Sequence, residues 1–347
     1  MQRIGPVGRL SRGVDHAVRW RLGRIGVHSG PGPLASHDGV EAFWAASRVL
    51  DPAPVTAHPA RRRRGRNGGH VLDIVAPSSG PCERPDGGRV LGRVTIHPRP
   101  GAPVVLLLHG YAAPSPVYEE YQTRLLLRRG LSAARIELPF HMHRRTPRHG
   151  AGHGFFGSEP AHTCAVLRQA TEDAAAVVAW LRRELTPAVG ALGFSLGGLV
   201  GCLLASHVAL ESLVAVTPPC DLADLTLERS PARLRRQLGV RAGGGGPWGI
   251  DAVAARAVLD RLMAPVTPRL LVPRTAGERV TLISADHDLI VGDAPVRALA
   301  DAWGTECWSY GHGHVTVMTA RGITARIHER LCRDLAVAPA PSGAVAG

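Results

Sequence analysis

Residues 188–205 read AVGALGFSLGGLVGCLLA, and the reading of this stretch decides the fold. Residues 188–192 form a small, apolar run compatible with a strand, and residues 199–205 are small and apolar again. Between them stands Gly193-Phe194-Ser195-Leu196-Gly197. In a chain with 41 glycines a G-x-S-x-G pattern is weak evidence by itself. Flanked on both sides as it is here, it predicts a strand, a sharp turn and a buried helix. Such a turn holds Ser195 in strained dihedrals so that its Oγ leaves the strand end. Gly193 and Gly197 remove side chains where the two backbones nearly touch. The N-terminus of the helix that follows favours developing negative charge.

Working outward, β-like runs occur at 70–75, 89–97, 104–108, 132–137, 188–192, 212–216, 279–284 and 306–310. Helical patterns occupy 117–129, 161–184, a segment from 195, 295–303, and a last segment from about 315. Strands alternating with helices predict an α/β chain: a mostly parallel, eight-stranded sheet with helices on both faces. Residues 218–276, partly helical and broken by the glycine run 243–246, read as a cap insertion. The chain divides into an N-terminal helical and linker extension (1–69), the α/β domain (70–335) and a disordered tail (336–347).

A hydroxyl becomes a nucleophile only beside a base. The loop after the last strand holds Gly311-His312-Gly313-His314, and His314 is the preferred base, leading straight into a helix from Val315, with His312 in reserve. The carboxylate that orients it belongs after the preceding strand. Asp286, Asp288 and Asp293 all stand there; Asp288 is preferred, and Asp221 is a remote fourth choice. A tetrahedral intermediate also needs two donors for its oxyanion. These are assigned to the backbone N–H of Leu196 and that of Tyr111 (or Ala112), after Gly110.

The segments LLLHGY (106–111), GFSLGG (193–198), LISADHDLIV (282–291) and YGHGHV (310–315) together resemble the α/β-hydrolase superfamily over about residues 71–334. The resemblance implies the α/β-hydrolase fold and a Ser195, Asp288, His314 triad. A narrower resemblance is to uncharacterised bacterial hydrolases of the group. It rests on Leu138-Pro139-Phe140-His141, Arg145-Thr146-Pro147, Arg168-Gln169 with Asp173, and residues 262–268. This sequence carries one more residue between His141 and Arg145 than that arrangement has. More loosely the group is similar to eukaryotic α/β-hydrolase-domain proteins that act on lipids.

The segment 139–160 reads as a loop over the site, with His109, His141 and Arg145 as candidate substrate-binding residues. His141, His143, His149 and His153 lack the carboxylate or cysteine ligands of a metal centre, and no metal or cofactor is called for. The implied activity is hydrolysis of a carboxylic ester or thioester, a small-molecule or lipid-like substrate, through an acyl-enzyme. An acyltransferase or peptidase would use the same residues, and a haloperoxidase-like activity would share them. A non-catalytic binding protein on this fold would be expected to lack a triad residue, and a dehalogenase to carry Asp at the turn.

The formal net charge of +13 resembles a nucleic-acid signal, but all 41 basic residues are arginines scattered along the chain. A DNA-binding face would cluster them, so no specific nucleic-acid partner is expected. The run 61–64 reads as a solvated linker. Val14, Val18, Leu22 and Ile25 recur at helical spacing among Arg12, Arg19, Arg21 and Arg24. Such a helix packs on the body or lies on an anionic membrane surface, and packing is expected. A second helix is predicted over 40–50, and an irregular segment over 51–69. No signal-peptide or membrane-spanning run is present, which favours the cytoplasm. The six cysteines form no C-x-x-C pair and read as free thiols.

Overall fold

The computed structural model describes residues 4–27, 62–64, 70–78, 88–230, 232–237 and 252–337. The helix expected over 40–50, Cys82, the glycine run 243–246 and most of the tail fall outside them. Nine strands form one sheet: β1 Arg62–Arg64, β2 His70–Pro77, β3 Arg89–Ile96, β4 Val104–Leu108, β5 Ser132–Ile136, β6 Val189–Phe194, β7 Ser212–Val216, β8 Val280–Ala285 and β9 Glu306–Tyr310. Their order is β1-β2-β3-β5-β4-β6-β7-β8-β9. From β5 to β9 every pairing is parallel, and β1 to β3 join antiparallel at one edge. The eight expected strands are all present. The three-residue β1, inside a segment expected to be irregular, adds a ninth because Arg62–Arg64 pair with residues 70–72.

The central strands carry apolar residues on both faces because both faces are covered. In β4, Val104, Leu106 and Leu108 join one half of the core, and Val105 and Leu107 the other. On the first face lie α3 (Pro160–Glu184), α4 (Leu196–His207) and α6 (Ala294–Trp303); α2 (Val117–Arg128) and α7 (Ile323–Asp334) cover the second. In the cap region, α5 (Ala252–Met263) packs its Leu259 and Met263 into the first half of the core. The last helix does not start near Val315. His314 leads into a 3-10 turn, Thr316–Thr319, and the α-helix begins at Ile323 after Gly322, whose φ of +78° breaks the helical path.

The N-terminal helix α1 (Pro6–Leu22) packs on the body, but not by the stripe its periodicity indicates. Its buried residues are Gly8, Ser11 and Asp15, whereas Val14, Val18 and Leu22 are half-buried and Ile25 lies beyond the helix. Small and polar side chains permit a closer approach here than branched ones. A Cβ on Gly8 would lie 2.4 Å from the His287 ring. Trp20 is exposed and stacks under Arg24. Among the described residues, no helix is long and apolar enough to cross a membrane.

Candidate active site

Ser195 sits between β6 and α4 with φ +53° and ψ −117°, a strained conformation for a residue with a side chain. The turn is as tight as its glycines imply. A Cβ on Gly193 would meet the Gly197 carbonyl oxygen at 2.2 Å, and one on Gly197 the Leu108 carbonyl oxygen at 2.0 Å. The Ser195 N–H donates to the Val216 carbonyl at 2.8 Å, anchoring the turn to β7. Its Oγ lies 2.9 Å from His314 Nε2, and His314 Nδ1 lies 2.8 Å from Asp288 Oδ2. Asp288 Oδ1 accepts from the Ile290 and Val291 N–H groups at 2.7 and 2.9 Å. Three donors therefore engage this carboxylate, two backbone N–H groups on one oxygen and the imidazole on the other.

Both members of the buried pair are shifted towards their charged forms. Burial opposes ionisation of Asp288, but the charge and hydrogen bond of His314 and the two backbone donors outweigh it, so its carboxyl titrates below the ordinary range. Burial likewise opposes protonation of His314. The charge and hydrogen bond of Asp288, joined by the charge of Asp15, outweigh that and raise its pKa.

The other candidate carboxylates are engaged elsewhere. Asp286 and Asp293 both pair with Arg297 on the surface, at 2.9 and 3.2 Å. Asp221 caps the turn at Asp224 and pairs with Arg256. His312 holds the neighbouring loop through its carbonyl, which accepts from the His287 N–H at 2.9 Å.

His109, His141 and Arg145 do not line the cavity at Ser195. His109 is fully buried: its Nε2 accepts from the Leu138 N–H and its Nδ1 donates to the Gly110 carbonyl. Burial pushes its pKa down to about 4, so it is a neutral brace. His141 accepts the Ala112 N–H on Nε2 at 3.0 Å, which takes Ala112 out of the oxyanion role and leaves Tyr111 as the candidate of that pair. Leu196, the first residue of α4, has no acceptor for its N–H within the helix. Arg145 is exposed on a separate depression beside Pro114 and Met142. Its neighbour Arg144 is the buried one, 2.8 Å from Asp173, in a network with Ser78 and Gln169.

A residue that pattern reading passes over completes the arrangement. Asp15, wholly buried on α1, accepts with Oδ2 from the N–H of His314 at 2.9 Å and of Leu289 at 3.0 Å. It thereby ties together the two loops that carry His314 and Asp288. Ser11, one turn earlier, bonds Thr316 in the same loop. The available signal was that Asp15 is the single acidic residue in α1 amid four arginines.

The cavity opening at Ser195 and His314 is walled by Val18, Arg19 and Leu22 of α1, by the 156–163 segment, and by cap residues that include Leu259 and Met263. Apart from a few polar groups it is apolar, as sites for hydrocarbon-bearing ligands are.

No family model and no curated protein matches this chain in sequence. Solved structures match in shape. Acetyl xylan esterase 1 from Thermoanaerobacterium sp. JW/SL YS485 superposes with a TM-score of 0.60 at 16% identity, over 91% of this chain and 98% of that one. The acetyl xylan esterase from Paenibacillus sp. R4 gives 0.59 at 16% over 89% and 98%. The Pyrococcus furiosus esterase Pf2001 gives 0.50 at 19% over 81% and 99%. The chain has the α/β-hydrolase fold.

Proposed function

We propose that this protein is a serine hydrolase that cleaves a carboxylic ester or thioester through an acyl-enzyme. The observation that carries the reading is the hydrogen-bonded line from Ser195 Oγ through His314 to Asp288, opening on an apolar cavity. Ser195 Oγ bonds to the substrate carbonyl carbon while its proton passes to His314 Nε2 and the carbonyl electron pair moves onto oxygen. The N–H groups of Leu196 and Tyr111 stabilise that oxyanion. Collapse of the intermediate breaks the carbon–alcohol or carbon–thiol bond, and the leaving group takes the proton from His314. Water then repeats the sequence on the acyl-enzyme and frees the acid. Asp288 holds the imidazole with Nε2 as the accepting nitrogen.

Membership of the narrower bacterial hydrolase group is supported by the paired Arg144 and Asp173 and by Gln169, which match its arrangement with Arg144 in the place assigned to Arg145. A fluorophosphonate probe tests the whole reading. It should label the wild-type protein at Ser195, and p-nitrophenyl esters of increasing chain length should be hydrolysed in step with that reactivity. Labelling at a different residue would refute the assignment.

A further inference from the structure

Building on the ester-hydrolase reading, we propose that the cavity at Ser195 takes an ester bearing an anionic group, a carboxylate or a phosphate, which Arg19 binds. α1 sets Arg19 into the wall of the cavity that also holds Ser195 and His314. The cavity it faces is lined mostly by hydrocarbon, including Val18, Leu22, Phe156, Leu222 and Ile290. A half-buried guanidinium in such surroundings loses solvation and needs a partner to recover it.

The obvious partner is Asp15, one helical turn earlier. Asp15 is turned inward, with its Oδ2 taken by the N–H groups of His314 and Leu289. Among the described residues, no carboxylate lies within ion-pair distance of Arg19. Of the two neighbouring cations, one adds to the imbalance. Arg229 lines the same cavity and is neutralised by Asp224, whereas Arg235 donates to the Leu227 carbonyl at 3.2 Å. Burial, and then the charges of Arg235 and Arg229, hold the pKa of Arg19 below its ordinary value, with Asp15 offsetting only part of this.

The cavity thus pairs a hydrocarbon wall with surplus positive charge. A neutral ester fills the first and leaves the second uncompensated. An ester whose chain ends in an anion satisfies both, and a guanidinium receives a carboxylate or phosphate through two parallel N–H donors. The arrangement selects for charge as well as for reactivity at the acyl carbon.

Mono-p-nitrophenyl adipate and p-nitrophenyl hexanoate have equal acyl chains and differ in whether the end is a carboxylate or a methyl group. We expect kcat/KM to favour the adipate by about tenfold at low ionic strength. The preference should shrink near 1 M salt, where charges are screened within about 3 Å. Arg19→Gln should erase the adipate-to-hexanoate ratio, Arg19→Lys should keep part of it, and Arg19→Glu should reverse it. Preference for the neutral ester, or an anionic preference that survives Arg19→Gln, overturns the proposal. Hexanoate and hexyl phosphate as competitive inhibitors then tell carboxylate from phosphate: the tighter of the two identifies the anion. Hexanol binding as tightly as both also overturns it. Failure of the hydrolase reading looks different, with neither ester cleaved and no labelling by fluorophosphonate. In that event calorimetry with hexyl phosphate against hexanol still decides the Arg19 subsite.

Discussion

His314 is held from two sides by regions of opposite character. From beneath, the ends of β6, β8 and β9 supply Ser195, Asp288 and the histidine loop, and their geometry is dictated by backbone crowding. From outside, α1 lays Ser11 and Asp15 against that loop from nearly 300 residues away in sequence. The first region is built from main-chain approach distances that only glycine allows. The second rests on a few side-chain hydrogen bonds across a docking surface. A site can therefore depend equally on a part that leaves a motif and on a part that leaves none.

The sheet-end half is where substitutions should act most severely. Ser195→Ala should abolish esterase activity and fluorophosphonate labelling without loss of secondary structure by circular dichroism, since only Oγ is removed. Undiminished labelling of this variant would move the nucleophile elsewhere. Asp288→Asn should reduce kcat by about 10³–10⁴ with little change in KM, by analogy with other triads. Asp286→Asn and Asp293→Asn remove only surface pairs with Arg297 and should stay within a few-fold of wild type. If Asp286→Asn proved the severe variant, the order of the loop after β8 would be wrong.

What could be read from the sequence follows the same division. β4 and β7 fall where their apolar runs end, because a buried parallel strand writes itself as a continuous apolar stretch. Gly193 and Gly197 mark the turn because no other residue fits there. β1 was not legible: three consecutive arginines carry no β pattern, and their strand exists by pairing with β2. The packing face of α1 was misread for a related reason. Apolar periodicity reports where oily side chains cluster, whereas this helix docks by Gly8, Ser11 and Asp15. His141 was recognisable as a special residue, whereas the arginine was read one position late, as Arg145; His141 and Arg144 brace the loop after β4 and the long helix α3.

Against the outer half, the sharper test removes its contact with the histidine loop. Asp15→Ala leaves the N–H groups of His314 and Leu289 without an acceptor in a buried place, at about 1–3 kcal/mol each. The loops should relax and the imidazole shift, and misplacement on the order of 1 Å costs about a hundredfold in rate. We expect kcat to fall about ten- to a hundredfold with a lowered Tm. A chain lacking residues 1–27 should lose at least as much, and alike on every ester, because it loses Asp15 and part of the cavity wall together. Full activity of that truncated chain on small esters would reduce α1 to packaging.

The smallest expected effect is the most specific, because it separates the charge of Asp15 from its grip on the backbone. In the proposed mechanism His314 must be neutral to take the proton from Ser195, so kcat/KM should fall as pH drops through its pKa. Burial alone would put that pKa below the ordinary imidazole value of about 6.5, but Asp288 and Asp15 together hold it above. The acid limb of the wild-type profile should therefore lie higher than an unperturbed histidine would give. Asp288 itself titrates below the ordinary carboxyl range and adds no limb near neutrality. Asp15→Asn keeps an oxygen to accept from the two N–H groups and removes the negative charge. Its acid limb should move to lower pH, while Asp288 still holds it up, and kcat at the plateau should change less than in Asp15→Ala. A limb that stays in place while the plateau falls would mean that Asp15 acts on the loop alone and that its charge does not reach the imidazole.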